Sequence, residues 1–307
     1  MIHRILIFIL LFLFSACDYK IQNEGQFKPI FYKSNYVTWW DVQYGQEETQ
    51  NMDIYLRGNE YVSRDSHNVR LTGKQPPTII FAHGSAWYFS DKRKHEHYIS
   101  PFLQKGYNVV NLNYAKKEGV AKATKDYRKA LLYLLRNNNR FHLDLNNIVL
   151  AGASAGAYMS TFLAVAQNCN EPEKSFTDSL KIIASINIMG GGDNCNEIYY
   201  NLKNHQNQWW RNVGQSLVTN QNKADSILLA WCPSEYLDEN DPPIFITFGE
   251  KDQFLDSSGN TSFPKKLASF NIPHEVVTYP NSGHGFLTED YNDMFIRIFN
   301  FIDKYIK

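Results

Sequence analysis

The sequence lacks an excess of charge of either sign, since Lys+Arg and Asp+Glu both number 31 among its 307 residues. We therefore predict no nucleic-acid partner, which a basic surface would attract, and no acidic cation-binding tail. Cysteine is also scarce, and four residues are too few for a disulfide framework. The sequence has no Cys-x-x-Cys pair, the spacing that would indicate a zinc site. The mean hydropathy is −0.42, and a single strongly apolar segment is too few for a polytopic membrane protein.

That apolar segment lies at the N-terminus, where no polar side chain interrupts residues 5–14. Ten helical residues span about 15 Å, half of a bilayer core, so the run is typical of a signal peptide (residues 1–16) and not of a transmembrane helix. Small residues directly before Cys17 resemble a bacterial lipobox, in which the cysteine is diacylated and becomes the new N-terminus. We expect an exported lipoprotein, anchored to a membrane at Cys17 through a polar tether over 17–35. Plain secretion after cleavage nearby and an uncleaved anchor remain alternatives.

The other three cysteines would meet an oxidising compartment if the chain is exported. Because three is an odd number, at most one intramolecular disulfide can form. Cys195 and Cys232 flank one polar, Trp-containing stretch, 192–240, and could staple it. Three free buried thiols, Cys169 among them, are the alternative, and the sequence does not decide between the two.

Apolar runs alternate with amphipathic stretches from residue 78 onward. Strands that alternate with helices indicate βαβ units, and hence a mostly parallel sheet covered on both faces. We predict one α/β domain over 36–307, with 192–240 as a small cap-like insertion. Core strands are predicted at 78–82, 108–112, 147–151, 182–189, 243–248 and 275–279, antiparallel edge strands at 36–44 and 52–56, and helices at 123–136, 155–166, 264–270 and 291–305.

Residues 152–156 form a G-x-S-x-G motif. The pentapeptide alone is a weak signal, but here it follows an apolar strand and precedes a helix-forming stretch. A strand-to-helix turn this tight leaves no space for a Cβ at either flank, which explains glycine at both ends. Such a turn presents the hydroxyl of Ser154 as a nucleophile at the carboxyl edge of the sheet. A plain glycine-rich turn is the alternative.

A serine hydroxyl is a weak nucleophile near neutral pH and needs a general base. His284 is the candidate, because it lies in a Gly-flanked loop after the last predicted strand, which returns to the edge that holds Ser154. A buried carboxylate must then orient the imidazole and stabilise its positive charge. Asp252, just after the next-to-last predicted strand, fits this role best, with Asp256 and Glu250 as fallbacks.

The tetrahedral intermediate of acyl transfer carries an oxyanion that needs backbone N–H donors. The amide of Ala155 is one candidate, because it directly follows the predicted nucleophile. The loop after the first core strand supplies the other through Gly84 or Ser85, since Gly84 permits a close approach of the backbone. With nucleophile, base and donors all supplied by the chain, we predict no metal and no organic cofactor.

The three candidate catalytic residues follow the chain order Ser, Asp, His of the α/β-hydrolase superfamily. Residues 83–87 and the later pair 91–92 look like the H-G-G-G-W…G-D-K segment of esterases related to hormone-sensitive lipase. Ser85 stands where that family has a glycine. A backbone donor survives this change.

Two further stretches, 234–252 and 50–55, resemble acetyl and feruloyl esterases of Bacteroidales type. The resemblance covers roughly residues 40–305. It implies the α/β-hydrolase fold and hydrolysis of a carboxylic ester through an acyl-enzyme.

The substrate is less well defined than the reaction. We expect a small ester or an acylated polysaccharide, with an acetyl, feruloyl or other short acyl group. A serine peptidase or amidase of related fold, and a non-catalytic carbohydrate-binding protein, are the alternatives, and the oligomeric state is open. Aromatic residues of the 192–240 insertion either stack on a sugar or phenolic group or form the core of a cap. The candidate substrate-binding residues are Trp87, Gly191, Trp209 and Trp210.

Overall fold

The computed structural model describes residues 36–58, 75–176, 180–255 and 257–306. The predicted signal peptide, Cys17 and the tether lie outside these ranges, so export and lipid anchoring stay predictions. Within the ranges, no helix combines the length and the apolar character that a membrane span requires.

Eight strands form one sheet in the part of the chain that the structure describes. They are β1 (Tyr36–Gln43), β2 (Asn51–Arg57), β3 (Pro77–Ala82), β4 (Asn108–Leu112), β5 (Asp144–Ala153), β6 (Ile182–Ile188), β7 (Ile244–Gly249) and β8 (His274–Tyr279). Their spatial order is β1-β2-β4-β3-β5-β6-β7-β8. Strand β2 is antiparallel to its neighbours β1 and β4, and the pairs from β4 to β8 are parallel. The mostly parallel sheet predicted from the sequence is confirmed.

Helices pack on both faces of this sheet. Alternate residues of β3 show the two layers. Ile80 packs in the cluster that holds the helices over 119–141 and 155–165, whereas Ile79 and Phe81 pack in the cluster with the helices over 96–105 and 288–303. A strand that is covered on both faces needs a continuous apolar run, which is what β3 has. The helices are α1 (Glu96–Lys105), α2 (Gly119–Phe141), α3 (Ala155–Val165), α4 (Cys195–Lys203), α5 (Gln208–Ser216), α6 (Ala224–Ala230), α7 (Ser257–Ser269) and α8 (Thr288–Asp303).

Helix α1 is absent from the sequence prediction. Pro101 lies inside it, and proline disfavours helix interiors because it has no N–H for the carbonyl four residues earlier. That carbonyl belongs to His97, and it accepts a hydrogen bond from the hydroxyl of Tyr291 on α8 instead. A tertiary contact thus satisfies the group that the proline leaves without a partner.

The 192–240 insertion contains three short helices, α4, α5 and α6. The sequence shows little sustained period there and predicts no helix, because helices of seven to nine residues make too few turns for a period to stand out. A disulfide joins Cys195, the first residue of α4, to Cys232, with the two Cα atoms 5.8 Å apart. The structure therefore has the disulfide and not three free thiols, and within the described residues Cys169 is the free cysteine.

Candidate active site

Ser154 occupies the turn between β5 and α3, at the carboxyl edge of the sheet. Its φ of 51° and ψ of −120° are rare for a residue with a side chain. The flanking glycines are sterically required. A Cβ at Gly152 would lie 2.4 Å from the carbonyl carbon of Gly156, and one at Gly156 would lie 2.0 Å from the carbonyl oxygen of Ala82. The sequence interpretation of this turn therefore agrees with its packing.

The three predicted catalytic side chains form one hydrogen-bonded line. The Oγ of Ser154 is 2.9 Å from Nε2 of His284, and Nδ1 of His284 is 2.7 Å from Oδ2 of Asp252. The backbone amides of Phe254 and Leu255 donate to Oδ1 of Asp252 at 2.9 and 3.1 Å. The Asp252 side chain is 1% exposed and the imidazole 21%. With Asp252 accepting from Nδ1–H, Nε2 is left to accept the serine proton.

The strand register explains why such distant residues meet. Ala82 of β3 pairs with Gly152 of β5, and Gly249 of β7 pairs with Tyr279 of β8, so the parallel strands end at a similar level. The loops that follow these strands all open at the carboxyl edge. Those four loops carry Gly84, Ser154, Asp252 and His284.

The other acidic groups near this edge do not extend the line. Glu250 is exposed, and its Oε1 accepts a hydrogen bond of 3.2 Å from the hydroxyl of Thr278. Asp256 lies outside the described residues. Among the residues that are described, no group of His, Cys, Asp and Glu side chains has the arrangement of a metal site.

The loop after β3 passes close to the serine. A Cβ at Gly84 would lie 3.3 Å from the Cβ of Ser154. The next three residues, Ser85, Ala86 and Trp87, have φ values of 132°, 51° and 56°. Ser85 thus adopts a conformation that favours glycine, the residue that the resembled esterases carry there, and the strain has to be offset by the surrounding contacts.

The other predicted oxyanion donor is the amide of Ala155. It belongs to the first turn of α3, where backbone N–H groups have no partner within the helix. The helix N-terminus also places partial positive charge beside the serine. The roles of Gly84, Ser85 and Ala155 as donors stay predictions.

The chain also matches the model of a protein family. The family model BD-FAE matches residues 67–267, about two-thirds of the chain. The chain belongs to the BD-FAE family. The resemblance predicted from the sequence is thereby confirmed at the level of the family.

Relatives of this BD-FAE chain include proteins named as esterases. Esterase LipQ of Mycobacterium tuberculosis is 23% identical over 257 residues, which are 80% of this chain and 56% of the relative. Kynurenine formamidase of Danio rerio is 27% identical over 128 residues, 41% of this chain and 38% of the relative. The chain thus spans little more than half the length of LipQ, and less of the formamidase.

Solved structures share its fold. A truncated carbohydrate esterase from gut microbiota superposes with a TM-score of 0.70 at 19% identity, covering 89% of this chain and 98% of that one. Esterase B of Lactobacillus rhamnosis gives a TM-score of 0.68 at 16% identity, covering 88% of this chain and 86% of that one. At these identities the likeness shows the fold alone, which is the predicted α/β-hydrolase fold.

An ionic network around the buried side chain of Lys92, which the sequence analysis missed, lies directly after the loop that carries Gly84. The Lys92 side chain is 1% exposed, and its Nζ is 2.6 Å from Oδ1 of Asp41 and 3.1 Å from Oδ1 of Asp53. Burial raises the pKa of Asp53, whereas the hydrogen bond from Lys92 lowers the pKa of Asp41. The network joins this segment to β1 and β2. Its only sequence signal is Lys92 within the resembled G-D-K segment.

The buried side chain of His83 supports the loop that carries Gly84. The ring is fully buried, stacks on Tyr114 at 4.4 Å, and donates from Nδ1 to the carbonyl of Gly84 at 2.6 Å. The hydroxyl of Tyr114 donates in turn to the carbonyl of His83 at 2.7 Å. Burial lowers the pKa of His83 to about 4, so the ring is neutral at neutral pH.

This depressed pKa predicts loss of stability in acid. An unfolded histidine has a pKa near 6.5, so as the pH falls the unfolded chain takes up a proton that the folded chain rejects. The contribution of His83 to the free energy of unfolding should therefore fall by about 1.4 kcal/mol per pH unit between pH 6.5 and pH 4. Urea unfolding across this window measures the slope. His83→Asn should flatten it, whereas the exposed control His205→Asn should not; equal slopes would contradict the assignment.

The predicted substrate-binding residues differ in their surroundings. Trp87 is buried, and it packs edge-on against Tyr158 at 5.4 Å, which favours a role in the shape of the loop. Gly191 lies past β6 with a φ of 67°, and its carbonyl accepts a hydrogen bond of 2.7 Å from Asn187.

The two tryptophans of α5 continue an aromatic wall that begins at the imidazole of His284. Phe254 lies 5.1 Å from His284, Trp210 lies 4.7 Å from Phe254, and Trp209 lies 4.6 Å from Trp210, between ring centroids. We refer to Phe254, Trp210 and Trp209 as the aromatic wall. It connects the cap to the candidate active site.

Proposed function

We propose that this protein is a serine carboxylesterase that hydrolyses small acyl esters through an acyl-enzyme. The proposal rests on the hydrogen-bonded line of Ser154, His284 and Asp252 beside the Gly84 loop. Membership of the BD-FAE family and relatives named as esterases support the same reaction class.

Acylation begins when Oγ of Ser154 attacks the ester carbonyl carbon. Nε2 of His284 takes the hydroxyl proton, and the carbonyl electron pair moves onto oxygen. The resulting oxyanion accepts hydrogen bonds from the amides of Ala155 and of Gly84 or Ser85. One such donor is typically worth about 3–4 kcal/mol in the transition state.

The intermediate then collapses, and the C–O bond to the alcohol breaks. The imidazolium gives its proton to the departing alkoxide, while Asp252 stabilises the positive ring through Nδ1–H. A water molecule next transfers a proton to Nε2 and attacks the acyl carbon. The acid leaves and Ser154 regains its proton, so the cycle consumes one water per ester.

The proposed substrate is an acetyl ester, or another short or phenolic acyl ester, of a sugar. The structural neighbour from gut microbiota is named a carbohydrate esterase, and the aromatic wall offers flat apolar surface beside the imidazole. Amide hydrolysis is the second candidate, favoured by the match to kynurenine formamidase. A shared triad serves both reactions.

A fluorophosphonate probe tests the nucleophile directly. We expect one covalent adduct per folded chain, located at Ser154 by peptide mass spectrometry, and loss of p-nitrophenyl acetate hydrolysis in proportion to labelling. Heat-unfolded protein, in which the line is broken, is the negative control. Labelling elsewhere would refute the assignment, as would hydrolysis that survives full labelling. Faster cleavage of p-nitroacetanilide than of the ester would favour the amidase, and sugar binding without any labelling would favour a non-catalytic protein.

A further inference from the structure

A pocket lies on the same edge of the sheet as the candidate active site. Its volume is about 540 Å³, which falls in the range of small-ligand sites. Residues after β3, residues after β4 and Trp209 of the cap line it together. The lining side chains that matter for binding are Tyr88, Phe89, Lys116, Lys117, Glu118 and Trp209.

The pocket is continuous with the aromatic wall. Trp209, at the far end of the wall from His284, lies 5.4 Å from Phe89 and 5.8 Å from Tyr88 between ring centroids. Three ring contacts therefore separate the imidazole from Trp209, which forms one side of the pocket. A substrate that spans this distance has its acyl group at Ser154 and a more remote group in the pocket.

The rings suit a sugar. Trp209 is 41% exposed, although a tryptophan usually buries most of its surface, and Tyr88 and Phe89 are half-buried beside it. The apolar C–H face of a pyranose stacks on such surfaces, and the rings are held in place by their mutual contacts. Uncharged aromatic rings alone, however, do not account for the lysines.

The charge of the pocket is positive. The Nζ of Lys117 lies 4.8 Å above the ring of Tyr88, and the Nζ of Lys116 donates to the carbonyl of Ser90 at 2.9 Å. Neither lysine forms an ion pair within the described residues. Glu118 is the one carboxylate of the lining, so the lining side chains carry one net positive charge.

We propose that this pocket binds an anionic sugar residue, carrying a carboxylate or a sulfate group, on the alcohol side of the ester. The inference rests on the proposed esterase function, which sets the ester at Ser154. The rings hold the sugar face, and Lys117 and Lys116 face its anionic group. The substrate class is then an acylated acidic oligosaccharide.

Binding of unacylated oligosaccharides to the full chain tests the pocket without catalysis. Aldotetrauronic acid, a xylo-oligosaccharide with one uronate, is compared with neutral xylotetraose by calorimetry. The acidic ligand should bind about three- to fivefold more tightly, as one exposed ion pair allows, and about 0.5 M salt should reduce the difference. A sulfated xylotetraose, run in parallel, distinguishes the two sources of charge.

Three variants locate the effect. Lys117→Gln should remove the preference for the charged ligand, and Trp209→Ala should weaken both ligands. Lys265→Gln, which changes an exposed lysine on α7 away from the pocket, should keep the preference. Thermal unfolding of each variant confirms that it folds.

Equal affinities for the charged and neutral ligands would overturn the inference, as would a preference that survives Lys117→Gln. Hydrolysis of p-nitrophenyl acetate, which has no sugar, tests the proposed function separately. Turnover without any preference for the charged ligand would support the proposed esterase function and refute the anionic sugar site. A preference for the charged ligand without turnover would refute the proposed esterase function and support a carbohydrate-binding site.

Discussion

Replacing Ser154 by alanine is expected to lower kcat for p-nitrophenyl acetate by about 10⁶-fold, because it removes the nucleophile. The acyl-enzyme then has no oxygen on which to form. The residual rate comes from positioning and oxyanion stabilisation of a direct water attack. Initial rates with a large excess of enzyme measure it.

The control for this change is Ser269→Ala. Ser269 lies exposed at the end of α7, and its hydroxyl donates only to the carbonyl of Lys266. Its loss should leave kcat unchanged. Loss of a nucleophile leaves far less than a hundredth of the activity. If Ser154→Ala retained more than about a hundredth of it, the acyl-enzyme mechanism would be untenable.

Asp252→Asn should lower kcat by about 10⁴-fold with little change in the fold. The two oxygens of Asp252 have different partners: Oδ1 accepts from the amides of Phe254 and Leu255, and Oδ2 accepts from Nδ1 of His284. An asparagine must keep its oxygen towards the two amides, so its NH₂ group faces the imidazole. Nδ1 then becomes the acceptor, the proton moves to Nε2, and the ring can no longer accept the proton of Ser154.

The tautomer itself can be observed. Nitrogen NMR of labelled histidine should find Nδ1 protonated in the wild type and Nε2 protonated in Asp252→Asn. The matched control is Glu250→Gln, a carboxylate two residues earlier that contacts Thr278. Rates similar in the two variants would show that Asp252 does not orient the ring.

Local geometry explains how much of the site is predictable. The turn around Ser154 has no space for side chains at Gly152 and Gly156. The spacing of the two glycines in the sequence therefore predicts the turn. His284 and Asp252 follow because parallel strands end at one edge, whatever lies between them in the chain. Site residues whose positions depend on one strand end or one turn can therefore be predicted from the sequence.

Features that depend on distant partners are not readable in this way. The buried ammonium group of Lys92 is stabilised by Asp41 on β1 and by Asp53 and Asn51 on β2, whereas a lysine in isolation indicates an exposed surface. The interruption at Pro101 is offset by Tyr291, almost two hundred residues later. Pairing of Cys195 with Cys232 likewise depends on how α4 and α6 pack, which composition does not fix.

Prediction of the helix ends fails for the same reason. The helix predicted over 123–136 extends to Gly119–Phe141, since its first turn is held by a hydrogen bond from the amide of Val120 to the carbonyl of Leu217 in the cap. The predicted lipid anchor at Cys17 stays a prediction.

The disulfide divides the molecule into parts that respond differently to thiols. It closes the 37-residue span that carries α5 and the two tryptophans. Ser154, Asp252 and His284 instead follow strands that no disulfide crosses within the described residues. Dithiothreitol is therefore expected to loosen α5 and the proposed sugar-binding surface, and to leave the hydrogen-bonded line of Ser154, His284 and Asp252 in place. If the proposed function holds, hydrolysis of a small aryl ester should survive reduction of the disulfide, whereas the preference for the charged oligosaccharide should weaken.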